Sequence, residues 1–187
     1  IDRGDRPDVI AGSYEDVIKE GAVDVVIIST DSYTRTNFDK IKYCLERKIN
    51  VISTAEEMAY PKAQEPELAA ELDRIAKENG VTVLGIGINP GLIMDLLVIT
   101  LTGACIDVES IKAERVNNLS PFGPTVMHEQ GVGITVEEFN RRVAENDLAG
   151  HIGFPESINM IADALGWKLS GEIKQEKSPI ISKVYRK

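Results

Sequence analysis

From residue 22 onward the chain alternates short aliphatic runs with longer stretches in which apolar residues recur every three or four positions. Val23-Asp24-Val25-Val26-Ile27-Ile28-Ser29-Thr30 holds five apolar residues and one early acid. It predicts a strand buried on both faces, as in parallel sheets. Phe38, Ile41, Cys44 and Leu45 then share one helical face, with Thr34 or Thr36 able to cap the start. Residues 50–54 predict a second strand, and Glu56-Glu57-Met58 follow it. Pro66 opens another helix with an apolar stripe of Leu68, Leu72, Ile75 and Ala76, and Gly80 suits its end. Residues 81–84 are the third strand. Ahead of all three, Ser13 starts a short helix over residues 14–21. Strand, helix, strand, helix, strand predicts right-handed crossovers and a parallel sheet.

The third strand leads into Gly85-Ile86-Gly87-Ile88-Asn89-Pro90-Gly91 and then an apolar run over residues 92–101. This predicts a tight turn and a helix, with Pro90 just inside the helix start and Asn89 as cap or ligand contact. Ligands of open parallel sheets lie outside the carboxyl ends of the strands, so this turn is a candidate site. The alternative is a plain capped turn. Beyond residue 101 the texture changes. Residues 109–117 predict a strand, and a polar loop runs over 118–133. Thr135 with Glu138 predicts a capped helix. Gly153-Phe154-Pro155-Glu156 leads into a helix carrying Ile158, Ile161, Ala162 and Leu165, stopped by Gly166. Residues 172–185 predict one or two strands, including residues 180–185. A domain boundary is expected near Gly87–Gly91. The first residues read as the middle of a domain, so the native protein is expected to be longer at both ends.

Composition narrows the function classes. The 187 residues carry a net charge of −9, which argues against a nucleic-acid partner. The two cysteines, Cys44 and Cys105, suit a reduced, cytoplasmic protein, although a disulfide stays possible. The 92–101 run is too short to span a bilayer and contains Asp95, so no membrane is expected. His128 and His151 are the only histidines, and no metal-ligand spacing occurs, so no metal is expected. There is no G-x-S-x-G elbow.

A G-x-G-x-x-G turn after the first strand is also missing, because Gly85, Gly87 and Gly91 have another spacing. Either the chain is not a dinucleotide binder, or its first strand–helix–strand unit precedes Ile1. Ile1-Asp2-Arg3 is then either the end of a ribose-contacting strand or an ordinary polar loop. Ser29-Thr30-Asp31-Ser32 and Thr54-Ala55-Glu56-Glu57 close two strands on the same sheet edge as Asn89. A carboxylate there can hold an ammonium group or act as a base. Equally, the acids can simply favour a helix start. At most one of the adjacent pair is expected to face the crevice. Arg115, Asn117, Asn118 and Ser120 cluster beside Pro121-Phe122-Gly123-Pro124, as a functional loop or a surface loop.

Four segments in order carry a resemblance: Ser53-Thr54-Ala55-Glu56-Glu57-Met58-Ala59-Tyr60-Pro61; Gly87-Ile88-Asn89-Pro90-Gly91; Asn118-Leu119-Ser120-Pro121-Phe122-Gly123-Pro124-Thr125-Val126-Met127; and Gly150-His151-Ile152-Gly153-Phe154-Pro155-Glu156-Ser157. Together they resemble the 2,4-diaminopentanoate dehydrogenases, which belong with the native amine dehydrogenases and are similar in fold to dihydrodipicolinate reductase. The resemblance implies an α/β fold: the C-terminal part of a Rossmann-type parallel sheet (residues 1–88, its first βαβ unit missing), then an α+β substrate domain (residues 89–187). It implies oxidative deamination of a small diamino acid, 2,4-diaminopentanoate, to 2-amino-4-oxopentanoate and ammonia, with NAD or NADP. The catalytic glutamate carries over to Glu56, with Glu57 in reserve. Asn89, Arg115, Asn117, Phe122, His151 and Met58 are expected to line the substrate pocket. Pro90 and Gly91 are expected at the nicotinamide, with Ser29, Thr30 and Thr54 beside the cofactor. A cytoplasmic homodimer is expected. A cyclic-imine reductase and a non-catalytic dinucleotide-sensing subunit are the alternatives. The family's Gly-rich fingerprint is absent from the chain.

Overall fold

Residues 12–148 and 150–181 are described by the computed structural model. After α1 (Tyr14–Val17) come β1 (Val25–Ile28), α2 (Thr34–Leu45), β2 (Asn50–Ser53), two 3-10 turns (Glu56–Ala59 and Pro61–Ala63), α3 (Pro66–Asn79) and β3 (Val83–Gly85). The strands form one parallel sheet in the order β1-β2-β3, with Val26 beside Val51 and Ser53 beside Gly85. The α/β architecture and its parallel sheet are as expected. Pro66 opens α3, and Gly80 ends it in the left-handed conformation at φ +67°. Ser13 caps α1 by accepting the Glu15 N–H.

The sheet differs from expectation on one face. Consecutive parallel strands with right-handed crossovers put both connecting helices on the same side. There Ile41, Cys44, Leu45, Leu72 and Ile75 pack against Ile28 and Val51 as the core. The opposite face is bare among the described residues: Ile27 is 64% exposed and Leu84 52%. The described residues thus cover β1 on one side.

Past β3 the chain does not enter a helix at Pro90. Residues 89–95 are turns, and α4 runs over Leu96–Thr102, capped by Asp95 rather than Asn89. Gly87 and Gly91 lie backbone to backbone, and a Cβ on Gly91 would stand 2.7 Å from the Gly87 nitrogen. This close approach folds the segment back and delays the helix by about a turn and a half. Part of the expected loop coils into α5 (Pro124–Glu129), followed by α6 (Val136–Ala144) and α7 (Phe154–Leu165). Thr135 caps α6 through the Glu138 N–H at 3.2 Å, and Gly166 ends α7, both as the sequence indicates. Residues 109–117 and 172–181 are irregular instead of strands. A strand needs a neighbour for its backbone groups, and no described strand pairs with either segment. Residues 182–185 and Ile1-Asp2-Arg3 lie outside the described residues. No described helix is long and apolar enough to cross a membrane.

Candidate active site

Each strand end delivers a different kind of group to the sheet's carboxyl edge. After β1, Ser29 and Thr30 are exposed, while Asp31 turns inward. Its carboxylate accepts the Tyr33 N–H at 3.1 Å, the Asn37 amide at 2.8 Å and the Thr36 hydroxyl. Partial burial works to raise its pKa, but these bonds and the Lys40 charge hold the carboxyl below its usual range. Thr30 is tied in as well, donating to Asn37 Oδ1 at 2.9 Å and accepting from Lys40 at 2.9 Å.

After β2, the 3-10 turn separates the adjacent glutamates. Glu57 is buried, and its carboxylate accepts the Thr34 N–H at 2.7 Å. Its own N–H donates to the Ser32 carbonyl at 3.1 Å. Glu57 therefore does the capping of α2 that Thr34 or Thr36 was expected to do, at a helix end where negative charge is favoured. Glu56 is half-buried and makes no such bond. Its charge acts on His151, as does that of Arg115.

After β3, the Asn89-Pro90-Gly91 turn is clamped against the segment leading into α7. Pro90 is wholly buried, and a Cβ on Gly153 would overlap its ring. Asp95 holds the clamp from below. Fully buried, its carboxylate accepts the Gly91 N–H at 2.8 Å, the Leu96 N–H at 2.6 Å and the Ser157 hydroxyl at 2.8 Å. Two buried polar atoms stay unpartnered here, Asn89 Oδ1 and His151 Nε2. Such atoms are rare in a finished interior and mark places where a polar ligand group fits.

His151 packs edge-on against Phe154, with ring centroids 4.5 Å apart. Burial and the Arg115 charge push its pKa below the usual histidine range, with Glu56 opposing them. The ring is thus neutral where an unfolded histidine, at 6.5, is half charged. Between that value and the lower folded one, the unfolded chain binds the extra proton. The stability that His151 contributes is therefore present above pH 6.5 and is lost as pH falls toward the folded pKa. In a proton-detected NMR titration, the His151 ring should shift at lower pH than a histidine peptide. A midpoint at or above the peptide's would contradict this placement.

A cavity of about 720 Å³ opens beside this group, lined by Tyr33, Glu57, Gln64, His128, Arg142 and His151 among others. That is the size of a small-ligand site. A larger hollow of about 890 Å³ lies between Ile158 and the irregular segment 169–176, and Gln175 lines both cavities. Arg142 is no free cation, since it bonds the Asp147 carboxylate and carbonyl and the His128 carbonyl.

Of the expected residues, the structure brings Glu56 and Arg115 within charge range of His151 and sets Pro90 against Gly153, and of these His151 lines the cavity. Ser29, Thr30 and Thr54 lie exposed along the sheet edge. Asn117 and Phe122 are exposed on an irregular stretch, with no contact that draws them to the cavity. Met58, expected at the substrate pocket, sits differently from the others. It is 4% exposed and packs into the core beneath the sheet, because the 3-10 turn points it inward. Asp95, Ser157, Gln64 and Glu156 were given no role in the sequence. A lone acid inside the apolar 92–101 run was the signal available for Asp95.

Comparison with known proteins places these features in context. The family described as the 2,4-diaminopentanoate dehydrogenase C-terminal domain matches residues 92–187. A 2,4-diaminopentanoate dehydrogenase from Acetoanaerobium sticklandii is 70% identical over 185 residues, covering 99% of this chain and 52% of that protein. The chain therefore spans about half the length of this curated relative. An amine dehydrogenase of known structure from Mycobacterium smegmatis shares 27% identity at a TM-score of 0.59, over 79% of this chain and 43% of that one.

Proposed function

Because this chain belongs to the family of 2,4-diaminopentanoate dehydrogenase C-terminal domains, we propose that it contributes to oxidative deamination of 2,4-diaminopentanoate, giving 2-amino-4-oxopentanoate and ammonia. In this reading residues 1–88 belong to the cofactor part and residues 89–187 to the substrate part. The observation that carries it is the division of labour between the paired acids. Glu57, which lines the cavity, is held by the start of α2, and Glu56 is left half-buried within charge range of a neutral His151. An ammonium substrate must lose a proton before a hydride can leave the adjacent carbon, and Glu56 takes that proton. Once that proton has passed to solvent, the same carboxylate draws a proton from the water that attacks the resulting iminium carbon and returns it to the carbinolamine nitrogen, so that ammonia departs and the carbonyl forms. His151, uncharged, does not repel the substrate cation.

The site fits a nicotinamide cofactor on two counts. Asn89 Oδ1 is a buried acceptor awaiting a donor, and the Asn89–Gly91 turn stands on the same sheet edge as Ser29, Thr30 and Thr54. These residues with Pro90 would hold NAD or NADP, which when bound supplies the hydride acceptor. Cys44 and Cys105 are both free, in keeping with a reducing, cytoplasmic setting, and a homodimer belongs to the same reading.

The test uses the full-length protein that contains this chain. Oxidation of NADH or NADPH by 2-amino-4-oxopentanoate should require ammonia. Oxidation supported by a cyclic imine without ammonia points to an imine reductase. Nucleotide binding without any turnover points to a sensing subunit. Either result overturns the proposal.

A further inference from the structure

Gln64 reaches two buried acids from separate elements at once. Its Nε2 donates to Glu156 Oε1 at 2.8 Å and lies 3.5 Å from Glu57 Oε1. Glu156 is wholly buried in the first turn of α7, and its Oε2 has no partner. Glu57 is bound at its other oxygen to the start of α2. A line of side chains thus runs from α2 through Glu57, Gln64 and Glu156 to α7. It crosses the turn that carries Glu56, and His151 lies three residues ahead of α7.

Two carboxylates bridged by one amide are not both ionised cheaply. Burial pushes the Glu156 carboxyl up, and the Glu57 charge adds to this, while the Gln64 bond opposes. Burial and the neighbouring acid thus both disfavour ionisation of Glu156. A second tether joins the same elements on the outside. Tyr60 donates to the Asp163 carboxylate, and Lys62 lies 2.6 Å from it. These groups are more than half exposed in the ion pair, and such pairs contribute little. The buried line is the one able to fix geometry.

We propose that Gln64 and Glu156 are positioning residues for Glu56: through Glu57 they fasten the Glu56–Ala59 turn to α2 and α7 together, and so set the placement of Glu56 relative to His151. This rests on the reading of Glu56 given above. Neither residue touches the reacting atoms. Each acts by holding the turn.

The test compares Glu156→Gln, which keeps an uncharged acceptor, with Glu156→Met, which keeps the bulk and removes the acceptor. In the full-length enzyme Glu156→Gln should retain kcat within about threefold. Glu156→Met should lose up to about 10²-fold, the scale of a small misplacement near the chemistry, with KM for the cofactor unchanged. Equal kcat in the two variants assigns Glu156 to space-filling and overturns the proposal. Gln64 sits at the cavity rim, so Gln64→Met serves if Glu156→Met does not fold, and parent-like kcat in it is equally fatal. A readout without turnover separates this inference from the functional one. In Gln64→Met the Thr34 amide resonance should move, because Glu57 loses its brace. An unmoved Thr34 amide overturns the positioning line whatever the enzyme's activity.

Discussion

Replacing Glu56 by Gln should lower turnover by about 10²–10⁴-fold, with cofactor affinity and thermal midpoint close to the parent's. The substitution keeps size and hydrogen-bonding groups and removes only the proton acceptor. Because Glu56 is half-buried and caps no helix, its loss leaves the fold alone. Glu57→Gln should behave in the opposite way. The Thr34 N–H keeps an oxygen to meet, but the negative charge at the start of α2 is gone, a loss on the order of 0.5–1 kcal/mol with turnover largely kept. Steady-state kinetics and thermal melts on both variants decide the matter. A stable, dead Glu57→Gln beside an active Glu56→Gln would reverse the roles.

Gly85→Ala should be among the most damaging single-methyl changes in the chain. Its Cβ would overlap the Met58 carbonyl and stand 2.9 Å from the Ala59 nitrogen. Both neighbours are backbone of the 3-10 turn, so no flexible side chain can yield. Overpacking usually costs about 1–3 kcal/mol, and a clash with backbone belongs at the top of that range or beyond. For a chain of this length that is a fall of roughly 5–10 °C in Tm. Activity should fall with it, because relief of the clash displaces the turn that carries Glu56. A calorimetric Tm equal to the parent's would show that β3 and the turn are not in contact. Gly91→Val is a poorer probe of the nicotinamide position. Gly91 has φ +118° and abuts the Gly87 backbone, so a side chain there would break the turn with or without cofactor.

Much of this architecture was legible from local spacing. The stripe of Ile41, Cys44 and Leu45, that of Leu72, Ile75 and Ala76, and the stops at Gly80 and Gly166 are encoded within a few residues of where they act. The parallel order of the strands followed from those helices. What was hidden depends on distant partners. Which face of β1 the described residues cover is decided by the crossovers, not by Val25 or Ile27. The delayed start of α4 comes from Gly87 meeting Gly91 and from Ser157, far along the chain, bonding Asp95. Nothing in Glu-Glu itself says which acid turns inward, since the donor to Glu57 is a backbone N–H 23 positions away. Residues 109–117 have the alternation of a strand, but pairing is decided by a neighbour and not by the segment.

The bond between Glu57 and Thr34 also couples two parts of the chain. The first turn of α2 closes locally, from the Asn37 N–H to the Tyr33 carbonyl. Its leading N–H gains a protein acceptor only where β2 lies alongside β1 and carries Glu57 across. Cap and site are therefore joined: a molecule in which Glu57 caps α2 also holds the bend from which Glu56 projects.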